Sequence, residues 1–342
     1  MDRARADHSS SGIPAAVNRE LFSEAWWLDA VAPGHWHEAV LESGGRRQAE
    51  LRYTVWRDRL GFTRLGVGPL SPRMGPLFDV DETKVHTGLA RENELVAGLV
   101  AQLPRYDYLS FTFPARLTNW MPFHWLGFHQ TTRYSYLIDE PADGELAWKG
   151  MSDVTRNIIR KAERTLQVDD GDASTLMRLA KLTFSRHGIR MRYDEGQLAA
   201  GVAAARARNA GAVRLALDPD GRAHAGALFV WDDERVYYLV GANDPDLRSS
   251  GASSLIIWNG IKLAGDLGLR FDFEGSMIEP IERFFRGFGG RPEPYLHVTN
   301  TSRRLAIALA ARDALQALTG RRPADRRVSR APANARGDGT AS

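Results

Sequence analysis

Arg270-Phe271-Asp272-Phe273-Glu274-Gly275-Ser276-Met277-Ile278-Glu279-Pro280-Ile281-Glu282-Arg283-Phe284-Phe285-Arg286-Gly287-Phe288-Gly289-Gly290 is the stretch from which the rest of the chain can be read. Its first residues alternate apolar and acidic. On a strand, alternate side chains point to opposite faces. Phe271 and Phe273 therefore face one way, and Asp272 and Glu274 the other. Gly275 ends the strand. Ile281, Phe284, Phe285 and Phe288 then recur at helical spacing behind Pro280, and Gly289-Gly290 stops the helix. Two carboxylates on one strand face suit proton transfer. They also suit a solvated face beside Arg270, Arg283 and Arg286.

Working back from this stretch, Leu255, Ile256, Trp258, Ile261 and Leu263 mark a helix that Gly268 ends. It opens at Arg248-Ser249-Ser250-Gly251-Ala252. Before it lie three strands at 213–217, 223–231 and 236–241, the first two joined by the turn Asp218-Pro219-Asp220-Gly221. Amphipathic helices are expected at 172–187, at 194–209 and from Ser152 or Asp153 to about Arg164. The last of these carries Arg156, Arg160, Lys161 and Arg164 beside its apolar side, a solvated basic stripe or an anion-binding edge. Working forward, a strand near 295–298 and a helix over 305–318 close the pattern.

The first part of the chain is more mixed. Strands are expected at 48–56, 106–113 and 133–138, a helix at 92–103, and a Gly/Pro-rich loop at 66–76. Asn119-Trp120-Met121-Pro122-Phe123-His124-Trp125-Leu126-Gly127-Phe128 is rich in aromatics for a loop, fitting a seam between domains or a pocket wall. The character changes near Pro141, where a domain boundary is expected with a cleft between two strand–helix units.

Composition sets the class. The chain has 342 residues, is 43% hydrophobic and 25% charged, and holds no cysteine. That excludes disulfides, thiolate nucleophiles and cysteine-bound metals. His124, His187 and His224 lack metal-ligand spacing, so no metal is expected. No apolar run reaches membrane-spanning length and no signal peptide opens the chain, so a cytoplasmic protein is the default expectation, with peripheral membrane contact left open. The net charge of +3 is uneven. Six arginines against two aspartates put +4 on residues 320–342, leaving the rest near −1. This stretch reads as a disordered basic tail, and residues 1–16 as a disordered leader.

Three antiparallel strands, a glycine turn, a helix, a strand, a helix and a final strand resemble the GNAT acyltransferase fold over about residues 146–300. In that fold an Arg/Gln-x-x-Gly-x-Gly/Ala turn presents backbone N–H groups to the pyrophosphate of acyl-CoA, as a helix N-terminus can. Arg248-x-x-Gly251 matches; Ser253 replaces the final Gly/Ala. A closer resemblance is to the Fem-type branch, two GNAT-like units in tandem. It is carried by the basic helix at 156–163, by Asp272-Phe273-Glu274-Gly275-Ser276 with Phe284-Phe285-Arg286-x-Phe288-Gly289, and by Asn119-Trp120-x-Pro122-Phe123 with Thr132-Arg133-Tyr134. The resemblance implies an α/β (α+β) protein, each unit a mixed, mainly antiparallel sheet flanked by helices. The units would span 17–145 and 146–300, followed by a helix at 301–319.

The implied activity is transfer of an acyl or aminoacyl group to an amine, with acyl-CoA or aminoacyl-tRNA as donor and a peptidoglycan precursor among the acceptors. A CoA-dependent N-acetyltransferase of small metabolites or sugar amines is the alternative within enzymes. A non-catalytic module binding a nucleotide or nucleic acid is the alternative outside them. Amine acylation needs an unprotonated nucleophile and a donor for the developing oxyanion. Glu274 is the preferred base, with Asp272 second, and Tyr238 is the expected proton donor, although a strand aromatic also packs. Arg248, Ser250, Gly251 and Ala252 would hold the donor, while Arg156, Arg160, Lys161, Trp120 and Arg133 would contact substrate or phosphate.

Overall fold

The structure, a computed structural model, describes residues 20–79, 84–187 and 191–319. The leader expected at 1–16 and the tail expected at 320–342 lie outside the described residues. The first half comprises α1 (Ala25–Val31), β1 (Trp36–Ser43), β2 (Arg46–Arg57), β3 (Thr63–Gly66), β4 (Leu77–Phe78), α2 (Val85–Gln102), β5 (Tyr108–Thr112), α3 (Met121–Trp125) and β6 (His129–Ile138). The second comprises α4 (Gly144–Gly150), α5 (Asp153–Ala162), β7 (Gln167–Asp170), α6 (Ala173–His187), α7 (Glu195–Ala207), β8 (Gly211–Leu217), β9 (Ala223–Trp231), β10 (Arg235–Asn243), α8 (Ala252–Leu267), β11 (Arg270–Asp272), α9 (Glu279–Arg286), β12 (Arg291–Thr301) and α10 (Arg303–Thr319).

The strands form one mixed sheet in the order β1-β2-β3-β5-β12-β6-β11-β10-β9-β8-β7, with β4 added beside β2. The fold class is thus the expected mixed α/β one. The join between the halves differs from expectation. The sheet does not break near residues 139–150: β12, which follows the whole second half in sequence, lies between β5 and β6. β6 in turn pairs antiparallel with β11. Two separate half-sheets would leave unpaired strand edges in the middle of the protein, and this exchange pairs them.

Helices cover both faces of the second half. Along β9, Leu228 and Val230 enter one apolar layer with Leu176 and Leu198, whereas Ala227 and Phe229 enter the other with Ile159, Ile257 and Phe271. That is why this strand reads as an unbroken apolar run. Trp27, Leu28 and Val31 of α1 join the first layer, and α1 lies on α7 across the two halves. Helix starts follow their chemistry. Ser152 accepts from the Thr155 amide at 3.2 Å to open α5. Asp194 and Gln197 form a capping box on α7.

Candidate active site

β11 is shorter than the alternation predicts, ending at Asp272. The expected two-faced arrangement nevertheless persists beyond its end. Phe271 and Phe273 pack edge-to-face at 4.9 Å in an aromatic cluster with Phe285 and Phe288. Asp272 and Glu274 both turn to the opposite side and meet Arg73 there. Glu274 has φ of 58°, a left-handed conformation unusual for a residue with a side chain. Asp272 Oδ1 accepts from the Glu274 amide at 2.9 Å and holds that turn. Gly275 follows at φ 66°, and a Cβ there would lie 2.1 Å from the Tyr134 carbonyl oxygen of β6. Gly275→Ala is therefore expected to destabilise through both backbone strain, worth about 1–2 kcal/mol, and a backbone clash. At about 2–4 °C per kcal/mol, a thermal melt checks it, and an unchanged midpoint would show that β6 lies farther away.

Arg73 comes from the loop at 67–76, just after β3, which is mostly buried although it carries no regular structure. Its backbone is held by Met74 N–H to the Thr112 carbonyl at 2.8 Å, and Trp27 Nε1 donates to Ser71 Oγ at 3.0 Å. Arg73 is 3% exposed. One of its terminal nitrogens, Nη2, donates to Asp272 at 2.8 Å and to Glu274 at 3.0 Å. The guanidinium lies 5.1 Å from the Tyr295 ring and 5.9 Å from the Tyr237 ring. Arg235 Nη1 donates to Asp272 at 3.0 Å and to Glu293 at 2.9 Å, and Ser135 Oγ donates to Asp272 Oδ1 at 2.6 Å.

The two carboxylates therefore differ in kind. Asp272 is fully buried and takes hydrogen bonds from two arginines, a serine and an amide. Burial pushes it upward, but Arg73 and Arg235 outweigh that and hold it below the usual carboxylate range. Glu274 is 10% exposed and, among the described residues, has Arg73 alone as an ion-pair partner. Burial, together with repulsion from Asp272, pushes its carboxyl up to about 7 against the pull of Arg73. Asp272, Glu274 and Glu293 share Arg73 and Arg235, with Arg291 reaching Glu293 only at 3.9 Å, so one carboxylate can take a proton near neutrality. Glu274 is that group.

β10 pairs in parallel with β11 only from Arg235 to Tyr237, then runs on to Asn243 without it. A register shift between Tyr238 and Val240 accompanies this parting on its β9 side. At the end of β10, a short 3-10 turn at Arg248–Ser250 leads to Gly251, at φ 78°, which opens α8. A Cβ on Gly251 would lie 2.8 Å from Ile158 Cγ2, so this glycine also lets α5 close against the turn. Ser253 is tied by Asn243 Nδ2 at 3.2 Å, and the Ala252 amide approaches Ser250 Oγ at 3.4 Å.

The other expected residues have separate places. Tyr238 points into the second layer, its ring 5.8 Å from Phe229 and 6.0 Å from Phe285, with burial pushing its phenol upward. Its hydroxyl ends beside Gly241 and not in the Arg73 cluster. Arg156 donates to the Lys149 and Met151 carbonyls at 3.0 Å and pairs with Asp153, so it closes the end of α4. Arg160 lies 5.3 Å from the Trp148 ring, and Lys161 is exposed. Trp120 is half-buried against His124. Arg133 stands opposite Tyr295 in the β6–β12 register, on the face of Ser135 and the acid pair. Sequence reasoning missed Arg73, Arg235, Ser135 and Glu293. Only Arg73 left a signal, as the sole charge between Leu65 and Phe78.

Residues 152–286 match the acetyltransferase (GNAT) domain family. The parted parallel strands, the glycine turn and the helix after it lie within that span. The second half of the chain therefore carries a GNAT-type acetyltransferase domain. The fold across both halves is similar to that of FemX, whose crystal structure is 15% identical with a TM-score of 0.64, covering 85% of this chain and 94% of that one. The C-terminal domain of a putative lysylphosphatidylglycerol synthetase from Agrobacterium fabrum is similar at 14% identity and a TM-score of 0.51, covering 85% and 92%. No curated protein matches the chain in sequence.

Proposed function

We propose that this protein transfers an acyl group from acyl-CoA to an amine, with Glu274 as the general base. The observation that carries the reading is a nearly buried carboxyl poised near pH 7 in a site shared by both halves of the chain. Its neighbour Asp272 stays ionised and fixes Arg73, Arg235 and the Glu274 turn. The donor lies in the wedge where β10 leaves β11, its pyrophosphate at the Gly251 turn beside Arg248, Ser250 and Ala252. Ile158 and Ala162 of α5 pack against that turn.

The amine nitrogen attacks the thioester carbonyl, forming the C–N bond as its proton passes to Glu274, directly or through water. The tetrahedral oxyanion collapses, the C–S bond breaks, and the thiolate takes a proton. Water supplies it, since the Tyr238 hydroxyl lies beside Gly241 in the layer of Phe229 and Phe285, away from Glu274.

Turnover of an amine panel with acetyl-CoA, set against charged tRNA, tests the reading by mass spectrometry of the products. Acetylated amine supports it. Aminoacylated product supports the tRNA-dependent alternative, with a cell-wall precursor as acceptor, and no product from either donor supports a binding module. Arg248→Ala is expected to raise KM for the donor with little change in kcat. A fall in kcat at unchanged KM would remove Arg248 from donor binding.

A further inference from the structure

One charged feature of the same sheet face has no part in the acid–base cluster. Arg73 and Arg235 are neutralised by Asp272, Glu274 and Glu293. Arg133 is half-buried on β6, and among the described residues no carboxylate lies within ion-pair distance of it. The register explains where it points. Ser135 stands opposite Glu293, Arg133 opposite Tyr295, and Thr131 opposite His297, so these residues form one row running away from Asp272. Tyr295 lies under Arg73 at 5.1 Å and feels both Glu274 and Arg133. Its ring therefore sits between the base and the unpaired guanidinium.

His297 continues the row, bonded through Nδ1 to Thr112 Oγ1 at 3.1 Å. Burial, and then the positive charges of Arg133 and Arg192, hold its imidazole down at about 4. One uncompensated guanidinium, that of Arg133, thus stands in the row of a neutral histidine, next to a base that needs an amine.

We propose that Arg133 binds a carboxylate of the acceptor, which lies across Tyr295 and presents its amine to Glu274. The acceptor is then an amine that carries a carboxylate, and not a simple alkylamine or a neutral amino sugar. The amine's orientation rests on the acyl-transfer reading, whereas the anion site itself does not.

Calorimetry on the full chain without donor tests the site, with glycylglycine, glycylglycinamide and inorganic phosphate as probes. Glycylglycine is expected to bind roughly tenfold or more tighter than the amide, the usual worth of a charge-assisted pair. Its saturation should raise the His297 titration seen by NMR. Arg133→Met should reduce the preference without lowering the melting temperature. Equal binding of the two peptides, no binding of either, or a preference kept in Arg133→Met overturns the proposal; so does phosphate binding tighter than glycylglycine. Selective binding without acyl transfer to any amine sinks the acyl-transfer reading alone. Turnover that ignores a carboxylate on the amine sinks this inference alone.

Discussion

Glu274→Gln is expected to lower kcat about 10²–10⁴-fold, the usual contribution of a positioned general base, with little change in donor KM. The substitution keeps the size of the side chain and its contact with Arg73, and removes the group that accepts the amine's proton. The melting temperature should change little, because a carboxyl poised near 7 is already part-protonated at neutral pH. That separates lost chemistry from lost structure. A wild-type kcat in Glu274→Gln would transfer the proton to water or to the substrate's own groups.

The second large effect falls on stability. Asp272 is fully buried and bonded to Arg73, Arg235, Ser135 and the Glu274 amide. Asp272→Ala leaves two largely buried guanidinium groups short of their shared counter-ion. Breaking one side of such a pair costs about 3–5 kcal/mol, because an uncompensated buried charge remains. Chemical denaturation should show a loss of that size, carried mostly by the midpoint. Since β11 pairs both β10 and β6, the damage lies where the two halves of the sheet meet. A loss below about 1 kcal/mol would mean that water reaches the cluster.

Much of this site is legible in the stretch from Arg270 to Gly290. Alternation alone separates the phenylalanines from the acids, and the separation survives although the strand stops at Asp272. What the pattern cannot show is the inequality of Asp272 and Glu274. That inequality comes from arginines far along the chain, and above all from Arg73, some 199 positions away. A Gly/Pro-rich segment such as 66–76 usually signals surface. Here its uncharged composition, broken by one arginine, marks a loop buried around a charge. The exchange of β12 into the first half is invisible for the same reason. Local propensity fixes that 291–301 extends, not which edges receive it. Basic character on α5 was legible too, but Arg156 turned out to serve the preceding helix.

Glu274 is the base in this mechanism, its carboxyl pushed up to about 7 by burial and by Asp272 against the pull of Arg73. The most direct measurement is the pH dependence of kcat/KM for wild type, Asp272→Asn and Glu274→Gln, once an amine acceptor is in hand. Wild type should lose activity as pH falls through about 7. Asp272→Asn removes a neighbouring negative charge and frees Arg73, so its acid limb should move to lower pH. Glu274→Gln should show a low rate without that limb. A wild-type limb that persists unchanged in both variants would contradict the assignment.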